Sequence, residues 1–312
     1  MKARALPNRI EVLPGKGTIC AVFVTYHPDV KFPERLAQIV PQVAHIVIVD
    51  NGSDDEAVRT LRLLCEFVNG ELIANGENLG IATALNQGAR RAIERGYAWA
   101  LMLDQDSWPE ADLVTTLSEI YRTHPDRQKV QMLGSNYRSA ATGYIALDCN
   151  NIPSNFVERK AVITSGSLLS LEAFKEVGQF RDDFFIDQVD DEYCLRLRAH
   201  GYTVIISCKP LIVHSLGSET RHKFLWKRPV CSNQSPLRKY YVTRNRIILY
   251  REYFFKEREW AIQSLRSMFR EILLIFLYED QKIAKLRAIA LGVWHAFTGH
   301  MGRLENRISE KM

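Results

Sequence analysis

The sequence of 312 residues has no long hydrophobic run. Its longest apolar stretch near the C-terminus covers residues 272–278, far short of the roughly 20 residues that a membrane-spanning helix needs. The first 14 residues carry charges and no apolar core, so we expect no secretory signal there. The six cysteines include no Cys-x-x-Cys pair. We therefore expect buried thiols rather than disulfides or a zinc site, and by default a cytoplasmic protein.

Three motifs that identify common enzyme classes are also missing. There is no GxxxxGKS/T for a P-loop, no GxGxxG after the first strand for a dinucleotide cofactor, and no GxSxG for a hydrolase nucleophile. Disorder is excluded, because 46% hydrophobic residues supply enough apolar surface to offset the chain entropy. The chain is therefore a globular protein that lacks the P-loop, the dinucleotide-binding motif and the hydrolase nucleophile motif.

Charge is distributed unevenly along the chain. Residues 1–220 hold 22 Lys and Arg against 28 Asp and Glu, whereas residues 221–312 hold 19 against 8. The basic region indicates either an anionic partner or a solvated helical face. Its basic and aromatic residues lie outside the predicted sheet, so we expect no nucleic-acid partner. We predict a catalytic domain in residues 1–225 and a basic helical region in residues 226–312.

Apolar runs alternate with stretches of helical spacing in the first part of the chain. Strands are predicted at 19–26, 45–50, 72–74 and 98–104, and helices near 32–43, 54–67, 80–95 and 110–122. This alternation is typical of an α/β fold whose parallel sheet is covered on both faces. Further on, helices are predicted at 171–177, 189–200, 236–257, 259–278 and 281–300, and strands at 204–206 and 211–213.

Two predicted strands end in an acid, Asp50 and Asp104. In open α/β sheets ligands bind outside the carboxyl ends of the strands, so we expect both carboxylates to face one crevice. Asp106 follows Asp104 closely, and two carboxylates in one turn suit Mg²⁺ or Mn²⁺. The alternative is a solvated pair of loop acids.

A second acidic segment combines Asp187, Asp190, Asp191 and Glu192 within six positions. Crowded like charges need a cation or a raised pKa, which indicates a general base or a metal site. The alternative is helix capping by one or two of the acids, with nearby arginines offsetting the others. His214 lies just past a predicted strand and is either a structural histidine or a ligand.

Six short motifs, taken in order, resemble glycosyltransferase family 2, and most closely its bacterial rhamnosyltransferases. The motifs are Thr25-Tyr26-His27-Pro28, Val49-Asp50-Asn51-Gly52-Ser53, Glu77-Asn78-Leu79-Gly80, Leu103-Asp104-Gln105-Asp106-Ser107, Asp187-Gln188-Val189-Asp190 with Cys194 to Tyr202, and His214-Ser215-Leu216-Gly217. They span roughly residues 18–250. No single motif is decisive, but their common order is specific.

This resemblance implies a GT-A-type fold, with a mostly parallel sheet flanked by helices and a C-terminal helical extension. It also implies a metal-dependent, inverting transfer with Mg²⁺ or Mn²⁺. The implied donor is dTDP-L-rhamnose, and the implied acceptor is a saccharide linked to a polyprenyl diphosphate in the synthesis of O-antigen or a related surface polysaccharide.

The resemblance also implies roles for individual residues. Nucleotide-sugar binding falls to Thr25, Tyr26, Asp50, Asn51, Asn78, Gly80, Asp104, Gln105 and Asp106. The metal ligands are Asp104, Asp106 and His214. Asp190 is the base that deprotonates the acceptor hydroxyl, with Asp187 or Asp191 as partners. Arg244 and Asn245 match a late pair of the family to which the sequence assigns no physical role.

Two positions depart from the family pattern. Val189 stands where a glutamate usually precedes the aspartate, and Asn51 replaces a frequent second acid. A UDP-hexose or galactofuranose donor is the main alternative. A sugar nucleotidyltransferase lacks support because no glycine-rich, basic phosphate loop follows the first strand, and a non-catalytic scaffold does not need the acids that are present.

The C-terminal helices combine basic and apolar residues. Arg266, Arg270, Lys282, Lys285 and Arg287 alternate with Phe269, Ile272, Leu273, Ile275, Phe276 and Trp294. Amphipathic basic helices with aromatic anchors are typical of proteins that lie on an anionic membrane surface. A helical bundle that packs on the core or on a second copy of the chain is the alternative.

Overall fold

The computed structural model describes residues 11–214, 220–221 and 230–305. The predicted domain boundary at 225/226 and residues 215–217 of the sixth motif lie outside them. The strands are β1 (Ile19–Thr25), β2 (His45–Asp50), β3 (Glu71–Ala74), β4 (Trp99–Asp104), β5 (Trp108–Pro109), β6 (Val130–Ser139), β7 (Phe156–Glu158), β8 (Ser167–Ser170), β9 (Thr203–His214), β10 (Thr220–Arg221) and β11 (Val230–Cys231). The helices are α1 (Phe32–Ile39), α2 (Asp55–Val68), α3 (Ile81–Glu94), α4 (Leu113–Thr123), α5 (Leu171–Val177), α6 (Val189–Ala199), α7 (Pro236–Tyr253), α8 (Arg258–Leu277) and α9 (Lys282–Thr298).

The N-terminal half of the sheet is parallel. Its strands run in the order β3-β2-β1-β4, and β1 pairs with both β2 and β4. All seven residues of β1 are buried, because one apolar cluster, which includes α3, covers one face of the sheet and a second cluster, which includes α1 and α4, covers the other. The alternation of strand and helix predicted from the sequence is confirmed here, with element ends shifted by a few residues.

The other half of the sheet is mixed. β8 is antiparallel to both β4 and β6, β6 is parallel to β9, and the short strands β5 and β7 are antiparallel to β9. The two late strands predicted at 204–206 and 211–213 form the single long strand β9. Strand β6 is not predicted from the sequence, because Ser135, Asn136 and Ser139 interrupt its apolar pattern although all three are buried. The α/β class with a C-terminal helical extension is confirmed.

The cysteine prediction is wrong for one pair. Cys149 and Cys208 form a disulfide, with their Cα atoms 5.6 Å apart, whereas the four other cysteines are buried thiols as predicted. Asn136 brings the two segments together by donating hydrogen bonds to the carbonyls of Leu147 and Cys208. A separation of 59 residues hides this proximity from the sequence. Because disulfides are rare in reducing compartments, the cysteines no longer support a cytoplasmic location.

The three C-terminal helices are confirmed and pack onto the sheet domain. Leu249 and Tyr253 of α7 belong to the same apolar cluster as Val22 of β1 and Tyr193 of α6. In the described part of the chain, no helix is both long enough and apolar enough to cross a bilayer. Lys285, predicted on an outward basic face, is instead buried and paired with Glu279 at 2.8 Å.

Candidate active site

A cavity of about 550 Å³ opens at the carboxyl ends of β1, β2 and β4. The segment before α6 and the first turn of α7 form its opposite side. All predicted site residues except Asp50 line it: Thr25, Tyr26, Asn51, Asn78, Gly80, Asp104, Gln105, Asp106, Asp187, Asp190, Asp191 and His214. The fold thus brings together two acidic motifs that lie more than 80 residues apart in the sequence.

Asp104, Asp106 and His214 form one group that is able to hold a metal ion. One ligand atom from each lies within 4.8 Å of the others, and His214 Nδ1 is 3.6 Å from Asp106 Oδ1. Ser107 fixes the imidazole through a 2.8 Å hydrogen bond to Nδ1. Two carboxylates and one imidazole are ligands that suit Mg²⁺ or Mn²⁺, so the residues present fit the implied metal.

The electrostatics of Asp104 agree with a cation site. Burial is the largest of the effects that together raise its pKa to about 6; the neighbouring carboxylate of Asp106 also raises this pKa, whereas His214 and Arg238 lower it. A buried acid beside another acid is stabilised in its charged form by a cation. The backbone N–H of Asp104 donates to Ser165 Oγ at 3.0 Å, which fixes the end of β4.

The side chain of Gln105 forms two hydrogen bonds with the backbone of Tyr26, at the end of the adjacent strand. Its side-chain oxygen accepts from the backbone N–H of Tyr26 at 2.7 Å, and its side-chain N–H donates to the Tyr26 carbonyl at 3.0 Å. The Tyr26 ring is 48% exposed and therefore available to a ligand at the rim of the cavity. Gln105 is thus engaged with Tyr26 and fixes that ring position.

Asp50 and Asn51 play different parts at the end of β2. Asp50 is fully buried, and its carboxylate accepts from Thr25, Gly52 and both the N–H and hydroxyl of Ser53. Asn51 borders the cavity and donates to Asn78 Oδ1 at 3.1 Å. Of the two alternatives that the sequence leaves for nucleoside contact, Asn51 is the one that faces the cavity.

Gly80 marks a close approach between the two sides of the cavity. Its φ is +91°, and a Cβ atom there would lie 2.6 Å from the carbonyl oxygen of Phe185. The next residue, Ile81, donates its backbone N–H to that same carbonyl at 2.8 Å. Because only glycine adopts this backbone without strain and without a clash, Gly80 fixes the acidic segment against the sheet.

Each acid of the second motif has its own environment. Asp187 forms a bidentate ion pair with Arg238, at 2.5 and 3.2 Å. Asp191 accepts from Trp260 Nε1 at 3.1 Å. Among the described residues, Asp190 has no side-chain partner, and its Oδ1 accepts from the backbone N–H of Asp191 at 3.0 Å. Burial first, and then the charges of Asp191 and Asp187, raise the pKa of Asp190 to about 7.

The loop that presents these acids has a strained backbone. Phe185, Asp187 and Gln188 all have positive φ values between 61° and 64°, a conformation that costs free energy for residues other than glycine. Asn245 supports the loop by donating to the carbonyls of Phe184, Ile186 and Asp187 at 2.9–3.0 Å.

Arg244 supports the same loop from beneath. It is fully buried and donates to the carbonyls of Asp183 and Phe184. The Arg244-Asn245 pair, whose role the sequence leaves open, therefore maintains the shape of the acidic loop without lining the cavity.

Two sequence comparisons identify the family. The Glycosyl transferase family 2 profile matches residues 22–138. The dTDP-rhamnosyl transferase RfbF of Shigella flexneri is 30% identical over 249 residues, which cover 75% of this chain and 80% of that protein. The chain belongs to glycosyltransferase family 2. The predicted family and the glycosyltransferase activity are thereby confirmed.

Solved structures share the fold of this family 2 glycosyltransferase at low sequence identity. S. aureus TarS matches with a TM-score of 0.57 and 13% identity, over 84% of this chain and 44% of that one. TarS 1-349 in complex with UDP-GlcNAc matches with a TM-score of 0.56 and 12% identity, over 89% and 81%. GalNAc-T7 with UDP, GalNAc and Mn²⁺ matches with a TM-score of 0.56 and 14% identity, over 91% of this chain and 57% of that one.

Sequence reasoning missed one charged residue of the glycosyltransferase site, Arg238. It lines the cavity from the first turn of α7. Its hydrogen bond to Asp187 is the largest of the effects that raise its pKa, and the charges of Asp104 and Asp190 contribute as well. Pro236 indicates in the sequence that a helix begins there and that Arg238 lies in its first turn. Nothing in the sequence indicates that this turn contacts residue 187.

Proposed function

We propose that this enzyme transfers L-rhamnose from dTDP-L-rhamnose, with inversion, to a hydroxyl of a lipid-linked saccharide. One observation carries the proposal: Asp190, with its raised pKa, borders the same cavity as the group Asp104, Asp106 and His214. A base on one side of the sugar and an anion-binding group on the other are what an in-line displacement needs.

The choice of donor rests on sequence similarity. The relative at 30% identity is named a dTDP-rhamnosyl transferase, and its match over 249 residues is longer than that of the family profile, which covers residues 22–138. A UDP-hexose or UDP-galactofuranose remains the alternative donor, since it would use the same fold and the same reaction. Asn51, Tyr26 and Asn78 line the part of the cavity nearest β2, where we propose that the nucleoside binds.

In the proposed site, Asp104, Asp106 and His214 hold Mg²⁺ or Mn²⁺. Such an ion, when bound, neutralises the negative charge that develops on the leaving nucleoside diphosphate. Arg238 adds a fixed positive charge on the same cavity, and its ion pair with Asp187 holds the guanidinium in position. We therefore propose Arg238 as a contact for the diphosphate.

Asp190 accepts the proton in the proposed reaction. The acceptor oxygen forms a bond to the anomeric carbon while the bond from that carbon to the diphosphate oxygen breaks, and the acceptor proton passes to the Asp190 carboxylate. A carboxylate with a pKa of about 7 is a stronger base than a solvated aspartate and remains half ionised at neutral pH. Asp187 and Asp191 are engaged with Arg238 and Trp260, so we assign the base to Asp190 alone.

A donor panel tests this function. The purified chain is incubated with Mg²⁺ or Mn²⁺ and with dTDP-rhamnose, UDP-glucose, UDP-galactose, UDP-galactofuranose or GDP-mannose, and donor binding and slow hydrolysis are measured. We expect metal-dependent use of dTDP-rhamnose, lost in Asp106→Ala and retained in Asp148→Ala, an exposed acid outside the cavity. Selective use of a UDP-sugar would refute the rhamnosyl donor but keep the reaction class.

We also propose that the outward face of α8 and α9 lies on an anionic membrane. Phe269, Leu273 and Phe276 of α8 and Trp294 of α9 are 53–66% exposed. Arg266 and Arg270 are exposed on the same helix as the phenylalanines. Exposed aromatic residues beside arginines complement the headgroups of anionic lipids, and a membrane is where a lipid-linked acceptor resides.

Vesicle co-sedimentation tests the membrane proposal. We expect binding to vesicles that contain phosphatidylglycerol, weaker binding to phosphatidylcholine alone, and loss of binding in Phe269→Ser. The matched control is Phe67→Ser, which removes from α2 a phenylalanine that is even more exposed than Phe269. Concentration-dependent dimerisation that is lost in Phe269→Ser, without vesicle binding, would identify this face as a contact between two copies of the chain instead.

A further inference from the structure

A second cavity of about 590 Å³ adjoins the first. It lies between α6, α7 and α8, and most of its lining falls outside the family motifs, although Gln188 and Arg198 belong to the fifth motif. Gln188 and Asp191 line both cavities and so form the border between them. Its volume falls in the range of pockets that bind small organic ligands, about 300–1,000 Å³. A ligand seated there reaches Asp190 past a border of two side chains.

The charges of this second cavity balance one another. Four cations line it, Arg159, Lys160, Arg198 and Arg246, and the anions against them are Glu158, Asp191, Glu271 and the adjoining Glu257. Arg198 pairs with Glu257 at 2.7 Å and with Glu158 at 2.9 Å, Lys160 also pairs with Glu257, at 3.0 Å, and Arg246 pairs with Glu271 at 3.1 Å. A nucleoside diphosphate needs a net positive site, which these ion pairs do not provide. The cavity therefore suits an uncharged ligand.

The uncharged polar groups of the lining are mainly amides and hydroxyls. Gln263, Ser264 and Ser267 lie on the side of α8 that faces the cavity, and Gln188 lies at the border. Amide and hydroxyl groups donate and accept hydrogen bonds without a net charge. This chemistry is complementary to the hydroxyl groups of a saccharide.

An unsatisfied buried donor gives an independent indication of a ligand. The Nε–H of Arg246 is buried, and within the described residues it has no hydrogen-bond partner. The side chain is more than nine-tenths buried and lines the second cavity. Leaving such a donor unpaired costs roughly 1–3 kcal/mol, more for a charged group. Because Nε has almost no accessible surface of its own, a ligand hydroxyl would supply the missing acceptor once the side chains around Nε shift.

The border residue Gln188 is itself held in an unfavourable conformation. Its φ is +61°, in the left-handed region that a glutamine rarely adopts. Strain of this kind persists where surrounding contacts impose it, and it concentrates at ligand-binding sites. The Asn245 amide imposes it here through the carbonyls of Ile186 and Asp187.

From these observations we infer that the second cavity is the subsite for the saccharide acceptor. The inference rests on the proposed transferase function and names where its second substrate binds. A neutral sugar ring occupies the space lined by Gln263, Ser267 and Arg246, and its reacting hydroxyl passes Gln188 and Asp191 to reach Asp190.

The position of α8 agrees with a lipid-linked acceptor. At 3.6 residues per turn, positions 260, 263, 264, 267 and 271 fall on one side of the helix, and positions 262, 266, 269, 273 and 276 on the opposite side. The first set lines the second cavity. The second set includes the exposed residues of the proposed membrane face, so one helix separates the acceptor subsite from the lipid surface.

Binding is tested with the full chain labelled with 5-fluorotryptophan. Trp260 lines the second cavity, and its fluorine signal is assigned with Trp260→Phe. The probes are the p-nitrophenyl glycosides of rhamnose, galactose and N-acetylglucosamine, added in the presence of dTDP and Mg²⁺. We expect at least one glycoside to move the Trp260 signal and none to move that of Trp99, which is buried in the sheet core. A Trp260 signal that no glycoside moves overturns the inference.

Kinetics give the second readout. Gln263→Trp fills the second cavity, and Ile262→Trp places the same ring on the opposite side of α8 as a control. We expect Gln263→Trp to lower kcat/KM for transfer to the glycoside by about tenfold or more, while hydrolysis of the donor by water changes less than about twofold. Unchanged transfer in Gln263→Trp overturns the inference.

Failure of the proposed function is distinguishable from failure of the subsite. A Trp260 signal that responds to a glycoside, in a protein that consumes no donor, refutes the transferase function but supports a saccharide site. Donor consumption with an unresponsive Trp260 refutes the subsite alone.

Discussion

The two sides of the active-site cavity hold their polar groups in different ways. On the sheet side, hydrogen bonds often join near neighbours: Asp50 accepts from Ser53, three residues on, and Asn78 from Gly80, two residues on. On the helical side, Asp187 pairs with a residue 51 positions away, and Asp191 accepts from Trp260, 69 positions away. The sheet side therefore combines such local turns with contacts between the ends of neighbouring strands, as between Gln105 and Tyr26, whereas the helical side requires the C-terminal helices to be docked.

Electrostatics follow the same division. Asp50 on the sheet side accepts four hydrogen bonds, three from the turn after β2 and one from Thr25 of β1. Asp190 on the helical side is desolvated beside two other acids, and its pKa is raised. A carboxylate whose hydrogen bonds are all made stabilises a turn. A buried carboxylate beside other acids has a raised pKa, which suits it to act as a base but lowers the stability of the fold.

The largest effect is expected from Asp190→Asn, which removes the proposed base. We expect transfer to fall by about 10³-fold, because general base catalysis contributes about 10²–10⁴-fold, while donor binding stays close to wild type. The measurement is kcat for transfer together with the donor Kd. Asp148→Asn, an exposed acid outside the cavity, is the control. A wild-type kcat in Asp190→Asn would contradict the proposal and show that another residue is the base.

A second test breaks the contact between the two sides. Gly80→Ala places a Cβ atom 2.6 Å from the Phe185 carbonyl at a φ of +91°, so we expect a loss of about 3 kcal/mol, or about 10²-fold in the folding constant. Gly76→Ala has a similar φ of +73° in open space and should cost only about 1 kcal/mol. Urea denaturation measures both, and equal losses would show that backbone strain alone matters.

A third test removes the support of the acidic loop. Asn245→Ala leaves the carbonyls of Phe184, Ile186 and Asp187 without this donor. We expect a loss of about 2 kcal/mol in unfolding free energy, about 30-fold in the folding constant, and a lower kcat with an unchanged donor KM.

The comparison variant for this test is Asn75→Ala on the sheet side, where Asn75 donates to Asn51 and Gln87. We expect it to raise the donor KM and to leave kcat near wild type. The same kinetic signature in both variants would contradict the division of the cavity into two sides.

The smallest effect is a pH dependence. The base acts only when ionised, so kcat/KM should rise about tenfold per pH unit below pH ~7 and level off above it, following the Asp190 pKa of about 7. Burial is the largest cause of this raised pKa, and the charges of Asp191 and Asp187 raise the pKa further. A profile that is flat between about pH 5.5 and 7.5 would contradict the assignment of the base.

The same raised pKa makes a prediction about stability. A carboxyl group whose pKa is raised by folding favours the folded state while it is protonated, and this contribution is lost as the pH rises through the folded pKa. Relative to wild type, Asp190→Asn should therefore gain thermal stability at pH 8 and less at pH 5. Thermal unfolding at the two pH values measures the difference.

The sequence indicated most of the sheet side of the site. Strand-end acids, turn residues and the helix starts are readable because apolar runs and breakers define where strands stop. Strand β6 was missed because its buried Ser135 and Asn136 look polar, although their partners lie on β9 and in the loops beside it. Arg238, the Cys149–Cys208 disulfide and the second cavity were missed because each joins residues that are distant in sequence.

The sequence by itself determined the α/β class, the family and the residue types at the cavity, because these depend on local periodicity and on short ordered motifs. The physical reason for proposing Asp190 rather than its neighbours as the base comes only from the tertiary structure. Asp187, Asp190 and Asp191 are chemically identical in the sequence, and they differ because docking of α7 and α8 gives Arg238 to the first and Trp260 to the third. Desolvation and charge pairing act through space, so they are fixed only when the helices have packed.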